Sequence, residues 1–224
     1  MELSYLVRRI STPPSGEIGL DHPLWLQADP LAISHFHPKS SDHRPRTQAR
    51  LLHDAANLFL RFDVDDRYVV SLATNYQDMV CFDSCVEFFF RPKSDLGYFN
   101  LEINCGGTVL WYYVEDPRPS AAGSMKYTAV GPEHGRRLTI YHSMPAIVSP
   151  ERSEPARWSI ACRIPLSSVE AYVGPLGESR NRHWDGNFYK CADHSSHPHW
   201  ASWTPMPEKL NFHDPQHFRP IRFE

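Results

Sequence analysis

The sequence has no Cys-x-x-Cys pair. Its five cysteines, Cys81, Cys85, Cys105, Cys162 and Cys191, are an odd number scattered through 224 residues. That pattern argues against a disulfide scaffold and fits the reduced thiols of a cytoplasm. No apolar run reaches the length that crosses a bilayer, so no membrane span is expected. The N-terminal run Met1-Glu-Leu-Ser-Tyr-Leu-Val-Arg-Arg9 has no basic region followed by an apolar core. It does not read as a signal peptide, and the expected location is cytoplasmic, or secreted where a leader has been removed. Positive charge is not in excess: 23 Lys and Arg face 26 Asp and Glu, a formal net charge of -3. A nucleic-acid partner is therefore not expected. Gly-x-Ser-x-Gly and phosphate-loop motifs are missing, which removes the common signatures of serine nucleophiles and nucleotide sites. There is no internal repeat and no low-complexity linker, so residues 1–224 are expected to form one domain.

Proline and aromatic side chains are abundant. Twenty prolines and 12% aromatic residues point to many short strands joined by ordered loops. Leu58, Leu60, Phe62 and Val64 alternate with Phe59, Arg61 and Asp63, the period of a strand with one buried face. A partner strand is expected over Gln48–His53, with Asp54-Ala-Ala-Asn57 as the turn. Val86, Phe88 and Phe90 alternate with Glu87 and Phe89. Phe99, Leu101 and Ile103 alternate with Tyr98, Asn100, Glu102 and Asn104. Gly106-Gly107 then turns the chain into a strand over Thr108–Val114. Further strands are expected at Leu3–Ile10, Ala32–Phe36, Leu138–Met144 and Trp158–Ile164. Pro165 ends the last, because proline cannot donate to a ladder. Ser167–Val173 reads as a short helical turn, and Ser11–Gly16 and Glu115–Lys126 read as loops. The expected fold class is all-β: a two-sheet antiparallel β-sandwich, immunoglobulin-like or jelly-roll-like, with long loops and little helix. If the strands carrying Glu87, Glu102 and Asn104 are neighbours, these residues form a polar floor.

Four segments carry a family resemblance. They are the hairpin Leu51-Leu-His-Asp54 with Leu58-Phe-Leu60; Asp83-Ser-Cys-Val-Glu87; Trp158-Ser-Ile-Ala-Cys-Arg-Ile-Pro165; and Ser202-Trp203 with Asp214-Pro215-x-x-Phe218. In order and spacing they resemble a family 9 carbohydrate-binding module, from about Trp25 to Phe223. The resemblance implies a β-sandwich that holds sugars between aromatic side chains and does no chemistry. It implies Trp203 as a sugar platform and Glu87 as a hydroxyl-binding carboxylate. Glu102, Asn104, Asn187 and Tyr189 would stand alongside on the sheet. A second aromatic clamp should lie just before Asp83-Ser84, where the chain has Phe82 and no tryptophan. Glu102 stands where the family carries a basic residue, and Arg219 stands in place of the glycine after the final Phe.

The chemistry of these side chains suits sugars. An indole covers a C–H face with little entropy to lose. Carboxylates and amides pair with hydroxyls. Each candidate also has a structural reading: Trp203 in the core, Glu87 in a salt bridge to Arg50 or Arg61, Asn104 in a turn. No cofactor is required, and the partner expected is an oligo- or polysaccharide. Structural calcium is implied by the resemblance for some members, with Asp63-Val-Asp-Asp66 and loop aspartates as oxygen donors. A zinc reading of Cys191, His194, His197 and His199 fits no known spacing cleanly. Two other functions remain open at this point. One is a haem electron-transfer sandwich using Met79 and a histidine. The other is a glycoside-processing enzyme using Glu87 and Glu102.

Overall fold

The computed structural model describes residues 3–10, 17–95, 97–118 and 125–224. Strands are numbered in chain order. The first sheet runs β10 (Lys126–Ala129), β9 (Val109–Asp116), β8 (Tyr98–Asn104), β7 (Cys85–Arg91), β14 (His183–Cys191), β16 (Arg219–Phe223) and β1 (Tyr5–Arg9). Beside β14 lies β15 (Trp200–Ser202), and beside that β3 (His35–Phe36). The second sheet runs β1, β4 (Arg46–His53), β5 (Asn57–Asp66), β13 (Ala156–Pro165) and β11 (Thr139–His142), with β2 (Leu31–Ile33) against β4. A small separate sheet pairs β6 (Val69–Ser71) with β12 (Val148–Arg152). Among the described residues, helix is confined to α1 (Pro132–Gly135), α2 (Leu166–Val173) and short 3-10 turns. The Ser11–Gly16 loop and the middle of the Glu115–Lys126 loop lie outside the described residues.

The expected sandwich is present, with one correction. Strand β1 pairs in parallel with β16 through Tyr5–Val7 and in parallel with β4 through Arg8–Arg9. It crosses from one sheet to the other, so a single strand ties both layers. All other described pairings are antiparallel. Parallel neighbours are joined by long connections, so the local hairpin patterns of the sequence carry no trace of them.

The inward alternation holds. Val86, Phe88 and Phe90 on β7 and Phe99, Leu101 and Ile103 on β8 enter the core between the sheets, with Phe62, Trp158 and Phe188. Phe188 stacks on Phe88 at 4.5 Å, Phe88 on Phe90 at 4.8 Å, and Phe90 on Trp184 at 5.1 Å. Burying each such ring contributes roughly 1.5–3 kcal/mol. This stack therefore fixes the register of β7 against β14.

One end of the interior is polar. Lys190 of β14 and Asp66 of β5 have fully buried side chains, with Nζ 3.5 Å from Oδ2. Asp66 also accepts from Trp158 Nε1 at 3.0 Å and pairs with His43 at 2.7 Å. Lys190 Nζ donates to His199 Nε2 at 2.8 Å and to the Cys191 carbonyl at 2.9 Å. His199 Nδ1 then donates to the His197 carbonyl at 2.9 Å, which fixes its tautomer. Burial, aided by the Lys190 charge, pushes His199 down to about 3, so its imidazole is neutral. Burial alone would raise the Asp66 carboxyl. The Lys190 ammonium and the bonds from His43 and Trp158 outweigh it and hold Asp66 well below its usual value.

Candidate functional site

The outward-facing residues of the first sheet line up in two rows. Tyr189, Glu87, Glu102 and Leu110 stand opposite one another across β14, β7, β8 and β9. Asn187, Phe89, Asn100 and Tyr112 form the next row. The segment that follows β15 folds back over part of this face. Tyr189 stacks on Phe212 at 4.1 Å and donates its hydroxyl to the Phe212 carbonyl at 3.1 Å. Phe218 meets Tyr98 edge-on at 5.3 Å. The rest of the face opens into a cleft of about 440 Å³.

The cleft has a polar floor and aromatic walls. Glu87, Asn100 and Glu102 form the floor, and Tyr112, Tyr127, Trp200 and Phe212 line the sides, with Asp193 and His213 near them. Tyr112 of β9 and Tyr127 of β10 stack at 4.5 Å. Asp193 accepts from Trp200 Nε1 at 2.7 Å and so holds the indole in place. Asn100 donates to Glu102 Oε1 at 2.9 Å and accepts from the Tyr112 amide at 3.0 Å. Cys191 Sγ donates to Glu87 Oε1 at 3.0 Å. Glu102 Oε2 is buried and no described donor reaches it.

Such a floor disfavours charge. Burial pushes the Glu87 carboxyl well up, and the nearby Glu102 charge adds to it against the Cys191 bond. Burial also pushes Glu102 up, opposed by the Asn100 bond and reinforced by Asp193. Directly opposed carboxylates on neighbouring strands cannot both ionise cheaply. At least one is a neutral acid at pH 7, able to donate as well as accept. Burial raises Asp193 too, while it takes His213 down to about 4.

The family model for carbohydrate-binding family 9 matches residues 27–223. The chain belongs to carbohydrate-binding family 9. Among solved structures it is similar to a Bacteroides uniformis ATCC 8492 protein of proposed carbohydrate-binding function, at 26% identity and a TM-score of 0.86, with all of both chains covered. It is also similar in fold to a family 9 module of Caldicellulosiruptor kristjanssonii solved with glucose, at 11% identity and a TM-score of 0.63, covering 99% of this chain and 96% of that one. A structure of such a module from the same organism with cellotriose gives 14% identity and a TM-score of 0.59, covering 99% and 94%. No curated protein matches the sequence.

Within this family 9 chain, the residues singled out from sequence divide. Glu87 and Glu102 lie side by side on the cleft floor. Trp203 does not reach the cleft. It is 6% exposed in the core, edge-on to Phe188 at 5.8 Å. Trp200, three residues earlier, lines the wall instead. Asn104 has the turn role: it donates to Asp83 at 2.8 Å and accepts from the Thr108 amide at 2.8 Å around Gly107, whose φ is +88°. Asn187 is fully buried, donating to Thr204 Oγ1 at 2.9 Å and accepting from the Thr204 amide at 3.1 Å. It pins the segment that carries Trp203. Tyr189 supports Phe212 from beneath. Phe82 stacks on His194 at 3.9 Å and lines a neighbouring groove with Met79. Arg50 and Arg61 bind Asp63, so neither pairs with Glu87. Asn100, Tyr112, Tyr127, Trp200 and Phe212 are the cleft residues that motif matching passes over.

The side chains named for calcium in Asp63–Asp66 and for zinc in the histidine run have other partners. Asp63 is taken by Arg50, Arg61 and Ser159, and Asp66 by His43, Trp158 and Lys190. Asp65 of the same stretch faces Arg46 and Arg157 at 3.7 Å. His194 stacks on Phe82, His197 stacks on Tyr68 at 3.6 Å, and His199 accepts from Lys190. These histidines turn apart and do not converge on a zinc position.

Proposed function

We propose that this chain binds carbohydrate in the cleft over the first sheet and leaves it chemically unchanged. The observation that carries the reading is the meeting of aromatic walls and a hydrogen-bonding floor in one opening of about 440 Å³. Tyr112, Tyr127, Trp200 and Phe212 offer faces to the C–H surface of a pyranose. Asn100, Glu87 and Glu102 offer donors and acceptors to its hydroxyl edge. Because part of the wall is tied down by Tyr189 and Asp193, little side-chain freedom is lost on binding.

The glycosidase reading is weaker on geometry. A hydrolytic pair flanks the scissile bond. Glu87 and Glu102 project side by side from one floor, as directly opposed residues of adjacent strands do. The haem reading is weaker: Met79 and His213 both line the cleft, but His213 Nδ1 is engaged by the Tyr98 hydroxyl at 2.7 Å and the floor is carboxylic. The first ligands to test are glucose and cellotriose, the sugars found with the Caldicellulosiruptor modules. Titration calorimetry should give saturable binding with no released product. Absence of binding to these and to every sugar of a broad glycan array would overturn the reading.

A further inference from the structure

We infer that the cleft selects a sugar bearing an ammonium group, a 2-amino-2-deoxy hexose unit, over its neutral counterpart. The inference rests on the carbohydrate reading above and adds the charge of the ligand. Among the described residues, three carboxylates, Glu87, Glu102 and Asp193, line the cleft, and no lysine or arginine does. The nearest buried cation, Lys190, is on the opposite face of β14 and is committed to Asp66. Glu102 is 6% exposed, and its Oε2 has no partner among the described residues. A buried carboxylate oxygen left unpaired is costly, and a ligand donor relieves that cost.

The walls point the same way. Aromatic faces attract cations, and Tyr112, Tyr127, Trp200 and Phe212 surround the opening. The remaining titratable groups of the lining bring no positive charge. Cys81 and Cys191 are pushed up by burial and stay neutral thiols, Tyr112 is also raised by burial, and His213 is held neutral. A neutral sugar would use the floor through hydroxyls alone. An ammonium group on the same ring adds a charge-assisted bond to a carboxylate of the floor. A uronic acid brings a carboxylate that this lining offers no described Lys or Arg to pair, and should bind no better than glucose.

The step is a simple proton exchange. A carboxyl of the floor that is neutral in the free protein gives its proton to the buffer as the ligand ammonium arrives, so binding releases up to one proton. The test is calorimetry on the wild-type protein with glucosamine, glucose, glucuronate and ethanolamine. It is run at about pH 6.5, below the range of an α-amino group, in two buffers of different ionisation enthalpy. Glucosamine should bind at least ~10-fold tighter than glucose, a step of about 1.4 kcal/mol, with proton release seen only for glucosamine. Glu102→Gln should bring the ratio towards one. Glucose binding as tightly as glucosamine would overturn the inference and leave the carbohydrate reading intact. Ethanolamine binding as tightly as glucosamine would overturn it as a sugar selectivity. Failure of glucosamine to bind would overturn the inference, while the carbohydrate reading would fall only if cellotriose and the glycan array failed as well. Should Glu102→Gln not fold, the wild-type ratio and proton count decide.

Discussion

Strand β14 separates two buried polar clusters, one on each face of the sheet it belongs to. Inward, Lys190 meets Asp66, His43, His199 and Trp158, and each charge has a partner. Outward, Glu87 and Glu102 face each other across β7 and β8, and among the described residues no cation pairs with them and Glu102 Oε2 has no donor. Both clusters are largely buried. The difference is satisfaction: a closed network holds the fold, and an open one leaves a bond for a ligand to make. Burial of a polar residue therefore does not mark a site. Burial with an unmet bond, beside an opening, does.

Breaking the inner side should give the largest effects, and they should appear in stability. Trp203→Ala removes a core indole beside Phe188 and should lower unfolding free energy by about 3–5 kcal/mol. Asp66→Asn leaves the Lys190 charge without its counter-ion and should lower it by a similar ~3–5 kcal/mol. Urea denaturation at neutral pH measures both. A loss below ~1 kcal/mol in Asp66→Asn would mean that the inner network is not closed, and one as small in Trp203→Ala would mean that this indole does not pack in the core. For the wild type the depressed Asp66 carboxyl gives a sign. Its stabilisation is present above the ordinary Asp value and disappears as pH falls towards the folded-state value. Asp66→Asn should therefore narrow its deficit at acid pH.

On the outer side the next effect should appear in affinity. Trp200→Ala removes a wall without opening the core, since Trp200 is only partly buried. Sugar affinity should drop by about 2 kcal/mol, as for a central aromatic contact. Phe82→Ala should leave affinity within ~0.5 kcal/mol, because Phe82 belongs to the neighbouring groove. If Phe82→Ala weakens binding more than Trp200→Ala, the ligand occupies that groove and not the cleft.

The strands were legible because alternation is a local signal. Tyr98–Asn104 has the bounds its pattern predicts, and Glu87 and Glu102 share the face that the period of two assigns them. Neighbour choice was partly legible: β7 beside β8 follows from a short connection, whereas the sheet-crossing of β1 depends on contacts far apart in sequence. The aromatic wall was the least legible part. Trp200 and Trp203 sit in the same run of sequence, and only the fold decides which one faces out. The polar row was also expected to be wetter than it is. Asn104 and Asn187 are fully buried because loop segments cover them, and loop paths leave little periodic signal.

The smallest expected effect tests the open cluster without any ligand. Glu87 is held above the ordinary carboxylate range by burial and by the Glu102 charge, and Glu102 by burial and by Asp193. A group whose folded value is raised contributes stability that is complete below its unfolded value, near pH 4, and is lost as pH rises through the folded value. The wild type should therefore weaken between about pH 4 and pH 8 through this pair. Glu102→Gln keeps an oxygen for the Asn100 bond but cannot ionise. At about pH 4 it should match the wild type within ~0.5 kcal/mol. At about pH 8 it should be more stable by ~1 kcal/mol, somewhat less than the about 1.4 kcal/mol that a tenfold change in proton affinity represents. Urea denaturation across that range measures the gap. A gap that does not change with pH, or a wild type that is the more stable protein at pH 8, would show that the outer carboxylates are already satisfied. The inner and outer faces of β14 would then be alike, both closed, and the cleft floor would hold no unmet bond for a ligand.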